Sequence, residues 1–267
     1  MSFIEEIRRK ASGLKRRIVF PEGNEVRVLQ AADFLQRNGL ARCVLLGRER
    51  EIAEIADQNR IQLKDMEVID PLHSPLLERY ALTYYDLRKE KGVSFEESAK
   101  IISDPIYFGA MMVRTAACDG SVAGSVHTTG DVLRAAIQII GTAPGISLVS
   151  STFEMVLQDG RVLTFADCAV VPDPDAEQLA DIAISSAETH RQLTGEAPRV
   201  ALLSFSTKGS AEHPSVEKVR QALEIVRRKR RDLAVDGELQ GDAALSETVG
   251  QRKAPGSPVA GQANVLV

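Results

Sequence analysis

One stretch of the chain, from Gly124 to Arg134, combines hydroxyl groups, glycines and an arginine. Its hydroxyl groups belong to Ser125, Thr128 and Thr129. They precede a segment with helical spacing, where free backbone amides and the helix dipole favour an anion such as a phosphoryl group. Arg134 could reach back to that group. Alternatively, the hydroxyls only cap the helix, His127 is a hydrogen-bonded structural residue and Arg134 is a surface arginine. The residues alone leave both interpretations open.

A second stretch, Ser204 to Ser210, follows an apolar strand and precedes a helix. It presents Ser206, Thr207 and Lys208 where the sheets of α/β proteins commonly bind ligands. The spacing GxxxxGK[ST] is absent, which argues against nucleotide hydrolysis. Neither GxGxxG after a strand nor GxSxG occurs, so the sequence gives no support for a dinucleotide dehydrogenase or an α/β-hydrolase.

The three cysteines, Cys43, Cys118 and Cys168, have neither CxxC nor Cys/His spacing. We therefore expect no disulfide framework and no zinc site, which fits a reducing cytosol. Cys168 would be a nucleophile only if its thiol pKa were lowered. The neighbouring Asp167 carboxylate and the apolar flanks have the opposite effect, so we interpret Cys168 as a buried structural thiol.

Composition excludes several classes of partner. The 267 residues contain 33 Lys plus Arg against 37 Asp plus Glu, a formal charge of −4. No overall positive field exists to attract nucleic acid or an anionic membrane. The first residues are charged where a signal peptide is apolar, and no run of 18 apolar residues occurs. We expect a cytoplasmic protein that neither spans a membrane nor follows that route of secretion.

Strand-like and helix-like segments alternate from Arg17 onwards, which predicts a parallel sheet covered on both faces. The stretch from Tyr107 to Val113 fits a buried helix or a strand. Short alternating runs then predict antiparallel strands, with a turn at 159–160. These strands are Ile146 to Thr152, Met155 to Leu157, and Val162 to Phe165. The hairpin marks the change to a second domain, so we predict domains at 1–145 and 146–267. The last five residues read as a core strand, so we also expect the chain to stop before the elements that would cover it.

Seven segments, in this order, resemble the phosphotransacetylases over essentially the whole chain. They are Phe20-Pro21-Glu22-Gly23, Asp104 to Gly109, Gly124 to Thr129 with Arg134, Phe165 to Pro172, Leu203 to Ser210, Asp236 to Gln240, and Lys253 to Gly261. Each is weak alone, but the seven in order are hard to obtain by chance. The match is closer to acetyl than to butyryl transferases.

The resemblance implies an α/β protein of the isocitrate/isopropylmalate dehydrogenase type. It would have two domains with a cleft between them, a mostly parallel sheet in the first and a mixed sheet in the second. It further implies a homodimer without metal or prosthetic group, which transfers an acetyl group between acetyl phosphate and coenzyme A by direct thiolate attack. Acetyl-CoA and phosphate are then the products. Arg88 and Arg134 match family arginines implicated in substrate binding, and Cys168 matches a cysteine near the family's active site.

In one respect the sequence departs from the family's pattern. The family's catalytic serine and arginine belong to a C-terminal motif, with an aspartate close behind, and all three positions lie beyond Val267. The resemblance therefore names no catalytic residue within these 267 positions. The alternatives are a phosphate butyryltransferase, or a shortened, non-catalytic relative that only binds ligand.

Overall fold

The computed structural model describes residues 2–267, which form two compact units. One unit, called the N-terminal unit below, comprises residues 4–141. The other, the C-terminal unit, comprises residues 142–267 together with residues 2–3. The sequence predicted the change of domain between residues 145 and 146.

The N-terminal unit is built on a parallel four-stranded sheet with the order β3-β2-β1-β4. Its strands are β1 (Arg17–Phe20), β2 (Arg42–Leu46), β3 (Glu67–Ile69) and β4 (Gly120–Ser121). Its helices are α1 (Phe3–Leu14), α2 (Val26–Arg37), α3 (Glu49–Gln58), α4 (Leu77–Arg88), α5 (Phe95–Ile102), α6 (Pro105–Arg114) and α7 (Thr129–Ile139). Because β1 lies between β2 and β4, the loops that follow β1 and β4 emerge side by side at the carboxyl edge of the sheet.

Helices cover both faces of this sheet, as two neighbouring residues of β1 show. Val19 packs in a core with Tyr80, Phe108 and Met111, whereas Phe20 packs in a separate core with residues of α2 and α3. Successive side chains of a strand point to opposite faces, so a strand with two buried neighbours is covered on both. The parallel, doubly covered sheet predicted from the sequence is confirmed.

The ambiguous stretch from Tyr107 to Val113 is helical and belongs to α6. Asp104 caps this helix, since its carboxylate accepts the N–H of Ile106 at 2.8 Å. Pro105 occupies the first turn, where its missing N–H costs nothing. The helix-start signal of Asp104 and Pro105 therefore makes this stretch helical, whereas the apolar run that follows would fit either a helix or a strand.

The C-terminal unit has a mixed five-stranded sheet with the order β5-β6-β9-β7-β8. Its strands are β5 (Thr152–Val156), β6 (Val162–Ala166), β7 (Arg199–Leu203), β8 (Ala234–Leu239) and β9 (Val265–Leu266). Its helices are α8 (Ala176–Thr194), α9 (Pro214–Lys229), α10 (Gly241–Leu245) and α11 (Glu247–Lys253). The β5–β6 pair is the predicted antiparallel hairpin, and the remaining pairs are parallel.

The strand predicted from Ile146 to Thr152 is wrong, because β5 begins only at Thr152. Polar groups of this segment bind carboxylates of other elements instead of a strand partner. The Ser147 hydroxyl donates to Asp181 at 2.6 Å, and the Ser151 N–H donates to Asp167 at 2.8 Å. These contacts hold residues 146–151 as a loop.

Every helix within residues 2–267 is too short or too polar to cross a lipid bilayer.

Candidate functional site

The loop that the sequence singled out, Gly124 to Thr129, is organised by one carboxylate, that of Glu22 in the loop after β1. Glu22 Oε2 accepts the N–H groups of Gly124 at 3.0 Å and Ser125 at 2.7 Å. Oε1 accepts those of Val126 at 2.9 Å and His127 at 2.8 Å. The amides do surround an anion, as predicted, but that anion belongs to the chain itself.

Glu22 stays ionised at any pH near neutrality. Its side chain is almost fully buried. Burial alone would raise the pKa of Glu22, but hydrogen bonds from the His127 N–H and imidazole, then from Val126 and Ser125, outweigh it and lower the pKa to about 2. The loop therefore holds a permanent negative charge.

His127 meets the same carboxylate with its ring, at 2.8 Å between Nδ1 and Glu22 Oε1. An ionised carboxylate can only accept, so Nδ1 carries the proton. The imidazole is 36% exposed. The structure thus joins two residues that are 105 positions apart, and sequence spacing gave no signal for the pair.

The next residue, Thr128, caps helix α7. Its Oγ1 accepts the N–H of Asp131 at 3.3 Å and donates to Asp131 Oδ2 at 2.6 Å. Arg134 pairs with the same aspartate at 3.0 Å and is exposed. The capping interpretation is therefore correct for Thr128, while the exposed hydroxyl of Thr129 and the guanidinium of Arg134 still face solvent.

Arg88, the last residue of α4, lies in the same neighbourhood as Arg134. Burial raises the pKa of Tyr107, and the positive charges of Arg134 and Arg88 both act against this rise. Arg88 also contacts Tyr84, whose pKa burial raises, and the Arg88 Nε is buried without a hydrogen-bond partner in the described chain. Tyr107, which belongs to one of the seven segments, therefore lies in the electrostatic field of both arginines, a relation that the sequence did not predict.

An open cavity of about 500 Å³ adjoins Tyr107. Lys91 and Lys100 contribute positive charge to it, Val93 and Ile101 contribute apolar surface, and Glu97 and Asp104 complete its polar lining. The cavity thus combines two lysines and two carboxylates beside Tyr107, on which the charges of Arg88 and Arg134 also act.

The second predicted loop, Ser204 to Ser210, is also built around a carboxylate. Glu238 of β8 accepts the hydroxyl of Ser206 at 2.8 Å and the N–H of Gly209 at 2.7 Å. Arg220 of α9 donates to it at 3.1 Å. Burial raises the pKa of Glu238, but the hydrogen bonds, with Arg220 the strongest, outweigh it and bring it to about 2.

The three predicted site residues of this loop bind protein atoms. Ser206 is fully buried, and the buried Thr207 accepts the N–H of Gln240 at 2.9 Å. Lys208 pairs with Asp236 at 2.5 Å. In this structure these side chains stabilise the loop, and their contact with substrate stays a prediction.

Cys168 lies in a loop held by Asp167, which accepts the N–H groups of Ala169 and Val170 at 2.8 Å each. Residues 167–172 line an open cavity of about 470 Å³. Cys168 is partly exposed, unlike Cys43 and Cys118, so its interpretation as a buried thiol is wrong. Burial still raises the pKa of Cys168, and the Asp167 charge adds to the rise as predicted.

Several known proteins are similar to this chain over its whole length. Residues 2–267 match the family described as phosphate acetyl/butaryl transferase. A phosphate acetyltransferase of Thermoanaerobacterium thermosaccharolyticum is 51% identical over the whole chain and 82% of its own length. One of Clostridium acetobutylicum is 49% identical with the same coverage.

A solved structure agrees with the sequence matches. The phosphotransacetylase of Streptococcus pyogenes superposes with a TM-score of 0.94, at 41% identity, over 99% of this chain and 80% of its own. The sequence match covers the whole chain, and the structural match covers 99% of it. The chain belongs to the phosphate acetyl/butaryl transferase family.

Proposed function

We propose that the protein is a phosphate acetyltransferase, which transfers an acetyl group reversibly between acetyl phosphate and coenzyme A. The observation that carries this assignment is the identity of 51% and 49%, over the whole chain, to two proteins bearing that name. The chain is thus an acyltransferase, and the acetyl group, rather than butyryl, is the group we expect it to move.

In the proposed reaction the thiolate sulfur of coenzyme A attacks the carbonyl carbon of acetyl phosphate. The new carbon–sulfur bond replaces the bond between the acyl carbon and the phosphate oxygen. The phosphate leaves with the bonding electrons, and the thiol proton passes to a base. A thiol of ordinary pKa needs such a base, and the departing phosphate needs fixed cations and hydrogen-bond donors.

The N-terminal unit supplies donors of that kind. We propose that Arg88, Arg134 and the residues of the Gly124–Thr129 loop contact the phosphate groups of the substrates. From that loop, the groups concerned are the side chains of Ser125, His127, Thr128 and Thr129. Two observations support this proposal: the Arg134 side chain is exposed, and the positive charges of Arg88 and Arg134 both act on Tyr107. Cys168 is proposed to lie near substrate without forming a covalent intermediate.

Replacing Arg134 by glutamine is expected to weaken acetyl phosphate or coenzyme A binding by about tenfold, since a charge-assisted contact to phosphate is lost. Arg191→Gln is the matched control, because Arg191 also makes an i,i+3 ion pair on an exposed helix face. Calorimetric titration of each ligand measures the dissociation constants. Equal affinities in the two variants would contradict a substrate role for Arg134.

Turnover is measured as acetyl-CoA formation from acetyl phosphate, by thioester absorbance. Butyryl phosphate tested in parallel reports the acyl preference, and prior dialysis against a chelator tests the proposal that no metal is required. Absence of acetyl transfer by the purified protein would refute the proposed function.

We further propose a homodimer in the cytoplasm. Strand β5 lies at the edge of its sheet and exposes Phe153, Met155 and Val156. Apolar edge strands of this kind are usually covered by another chain. The free cysteines fit a reducing compartment. Light scattering is expected to give twice the chain mass, and Phe153→Ser to shift it towards the monomer, while cell fractionation tests the compartment.

A further inference from the structure

Glu22 holds His127 at two points. The backbone N–H and the ring Nδ1 of His127 both lie 2.8 Å from the same carboxylate oxygen. A ring fixed at its backbone and at one nitrogen has little rotational freedom, so its second nitrogen keeps a defined position. That nitrogen, Nε2, makes no hydrogen bond to any group within residues 2–267, and the imidazole is partly exposed.

The carboxylate also fixes the chemical state of the ring. With Nδ1 protonated, Nε2 of a neutral ring can only accept a hydrogen bond, whereas Nε2 of a charged ring donates one. A phosphoryl dianion offers only acceptors, so it meets the charged ring. In that state the imidazolium lies between two anions, Glu22 on one side and the ligand on the other.

We propose that Glu22 is a positioning residue that acts through His127, and that His127 Nε2–H donates a hydrogen bond to the phosphoryl group of acetyl phosphate. This inference rests on the proposed function and names a contact within it.

Other charged groups lie around the Gly124–Thr129 loop, which carries His127. Arg27 of α2 donates to the Ser125 carbonyl at 3.0 Å, and Glu25 pairs with Arg27. Asp131 and Arg134 follow on α7.

Two substitutions of His127 distinguish the contributions of its two ring nitrogens. The amide nitrogen of asparagine stands as far from Cβ as Nδ1 does, so His127→Asn can keep the contact to Glu22 while losing Nε2. The amide of glutamine extends further, so His127→Gln can keep a donor near the position of Nε2. We expect His127→Asn to raise the dissociation constant for acetyl phosphate about tenfold, because one charge-assisted hydrogen bond is lost. We expect His127→Gln to raise it less than threefold.

The chain contains a matched control pair. His73 Nδ1 also lies 2.8 Å from a carboxylate, that of Asp70, on an exposed surface of the same unit. His73→Asn and His73→Gln should therefore leave acetyl phosphate affinity unchanged. Thermal unfolding of all four variants reports whether any loss of binding reflects a loss of folding.

The pH dependence of binding gives a readout that a purely structural role would not produce. Because only the protonated ring can donate from Nε2 to the phosphoryl group, affinity should fall as the pH rises and that proton is lost. We expect this fall in the wild-type protein and not in His127→Gln. Taking the ratio of the wild-type and His127→Gln dissociation constants at each pH cancels the effect of the ionisation of acetyl phosphate, which is the same for both proteins.

Nitrogen-15 spectra of the four histidines test the pair without turnover. The wild-type ring of His127, assigned through His127→Asn, should carry its proton on Nδ1 and shift at Nε2 when acetyl phosphate is added. Glu22→Gln should weaken acetyl phosphate binding about tenfold. Adding His127→Asn to it should weaken binding no further, because both changes remove the same contact.

Four results would overturn the inference. Three concern affinity: an unchanged affinity in His127→Asn, equal losses in His127→Asn and His127→Gln, or losses from Glu22→Gln and His127→Asn that multiply in the double variant. The fourth is an Nε2 signal that does not shift when acetyl phosphate is added. Failure of the proposed function is a different result, since the wild-type protein would then neither bind acetyl phosphate nor form acetyl-CoA.

Discussion

Replacing Glu22 by alanine is expected to lower the free energy of unfolding by about 3–5 kcal/mol, the range seen when one partner of a buried polar contact is removed. Four N–H groups and an imidazole lose their acceptor together. An unsatisfied buried donor costs about 1–3 kcal/mol, and water entering this partly exposed loop recovers part of the sum. Urea unfolding followed by circular dichroism measures the change.

Glu54→Ala is the control for this substitution. Glu54 makes an exposed i,i+4 ion pair with Arg50 in the same unit, and such pairs contribute about 0.3–0.5 kcal/mol. A loss of less than 1 kcal/mol in Glu22→Ala would show that the loop does not depend on the carboxylate.

The dependence of stability on pH follows from the same residue. The pKa of Glu22 is about 2 in the folded protein, below its ordinary value of 4.5. A carboxyl with a lowered pKa contributes stability above pH 4.5, and this contribution is lost as the pH falls towards 2. Glu22→Ala should therefore lose less stability than the wild type between pH 4.5 and 2. Glu238, whose pKa is also about 2, keeps part of the acid sensitivity in both proteins. Parallel acid-unfolding curves would contradict this assignment.

Local signals in the sequence predicted most of the fold. The alternation of strand-like and helix-like segments predicted the parallel sheet. Ser94 and Glu97 have the spacing of a capping box, and both hydrogen bonds of that box are present at the start of α5. These signals succeed because partners within four residues determine them. The strand predicted at Ile146 failed because its partners, Asp167 and Asp181, are distant in sequence.

The same distinction explains the site. Glycines and hydroxyls predicted a loop whose amides hold an anion, and they do. The sequence could not tell that the anion is Glu22, more than 100 residues earlier, because only the neighbouring positions of β1 and β4 bring the two loops together. Ser206 likewise meets Glu238 across 32 residues. A carboxylate immediately after a strand, facing a glycine-rich loop after the adjacent strand, is the signal that could have found such a pair.

The segment from Lys253 to Gly261, one of the seven that carry the family resemblance, is tightly constrained. Gly261 has φ +82°, in the left-handed region, and a Cβ there would lie 2.6 Å from Glu247 Cα and 3.2 Å from the Ser246 carbonyl oxygen. Its N–H donates to the Ala243 carbonyl at 2.8 Å. The loop therefore lies against the backbone of α10 and α11 just before it enters β9, a central strand of its sheet.

Gly261→Ala is accordingly expected to cost about 3 kcal/mol, combining a left-handed alanine with a backbone clash that no side-chain rotation can relieve. Gly256→Ala separates the two terms. Gly256 has φ +80° in the same segment but open space at its Cβ, so only the conformational cost of about 1–2 kcal/mol applies. Urea midpoints of the two variants, compared at equal m-values, measure the difference. Equal midpoints would mean that α11 shifts without cost to make room for the added Cβ. Close contact between this loop and α11 would then not be what fixes the position of β9 in the sheet.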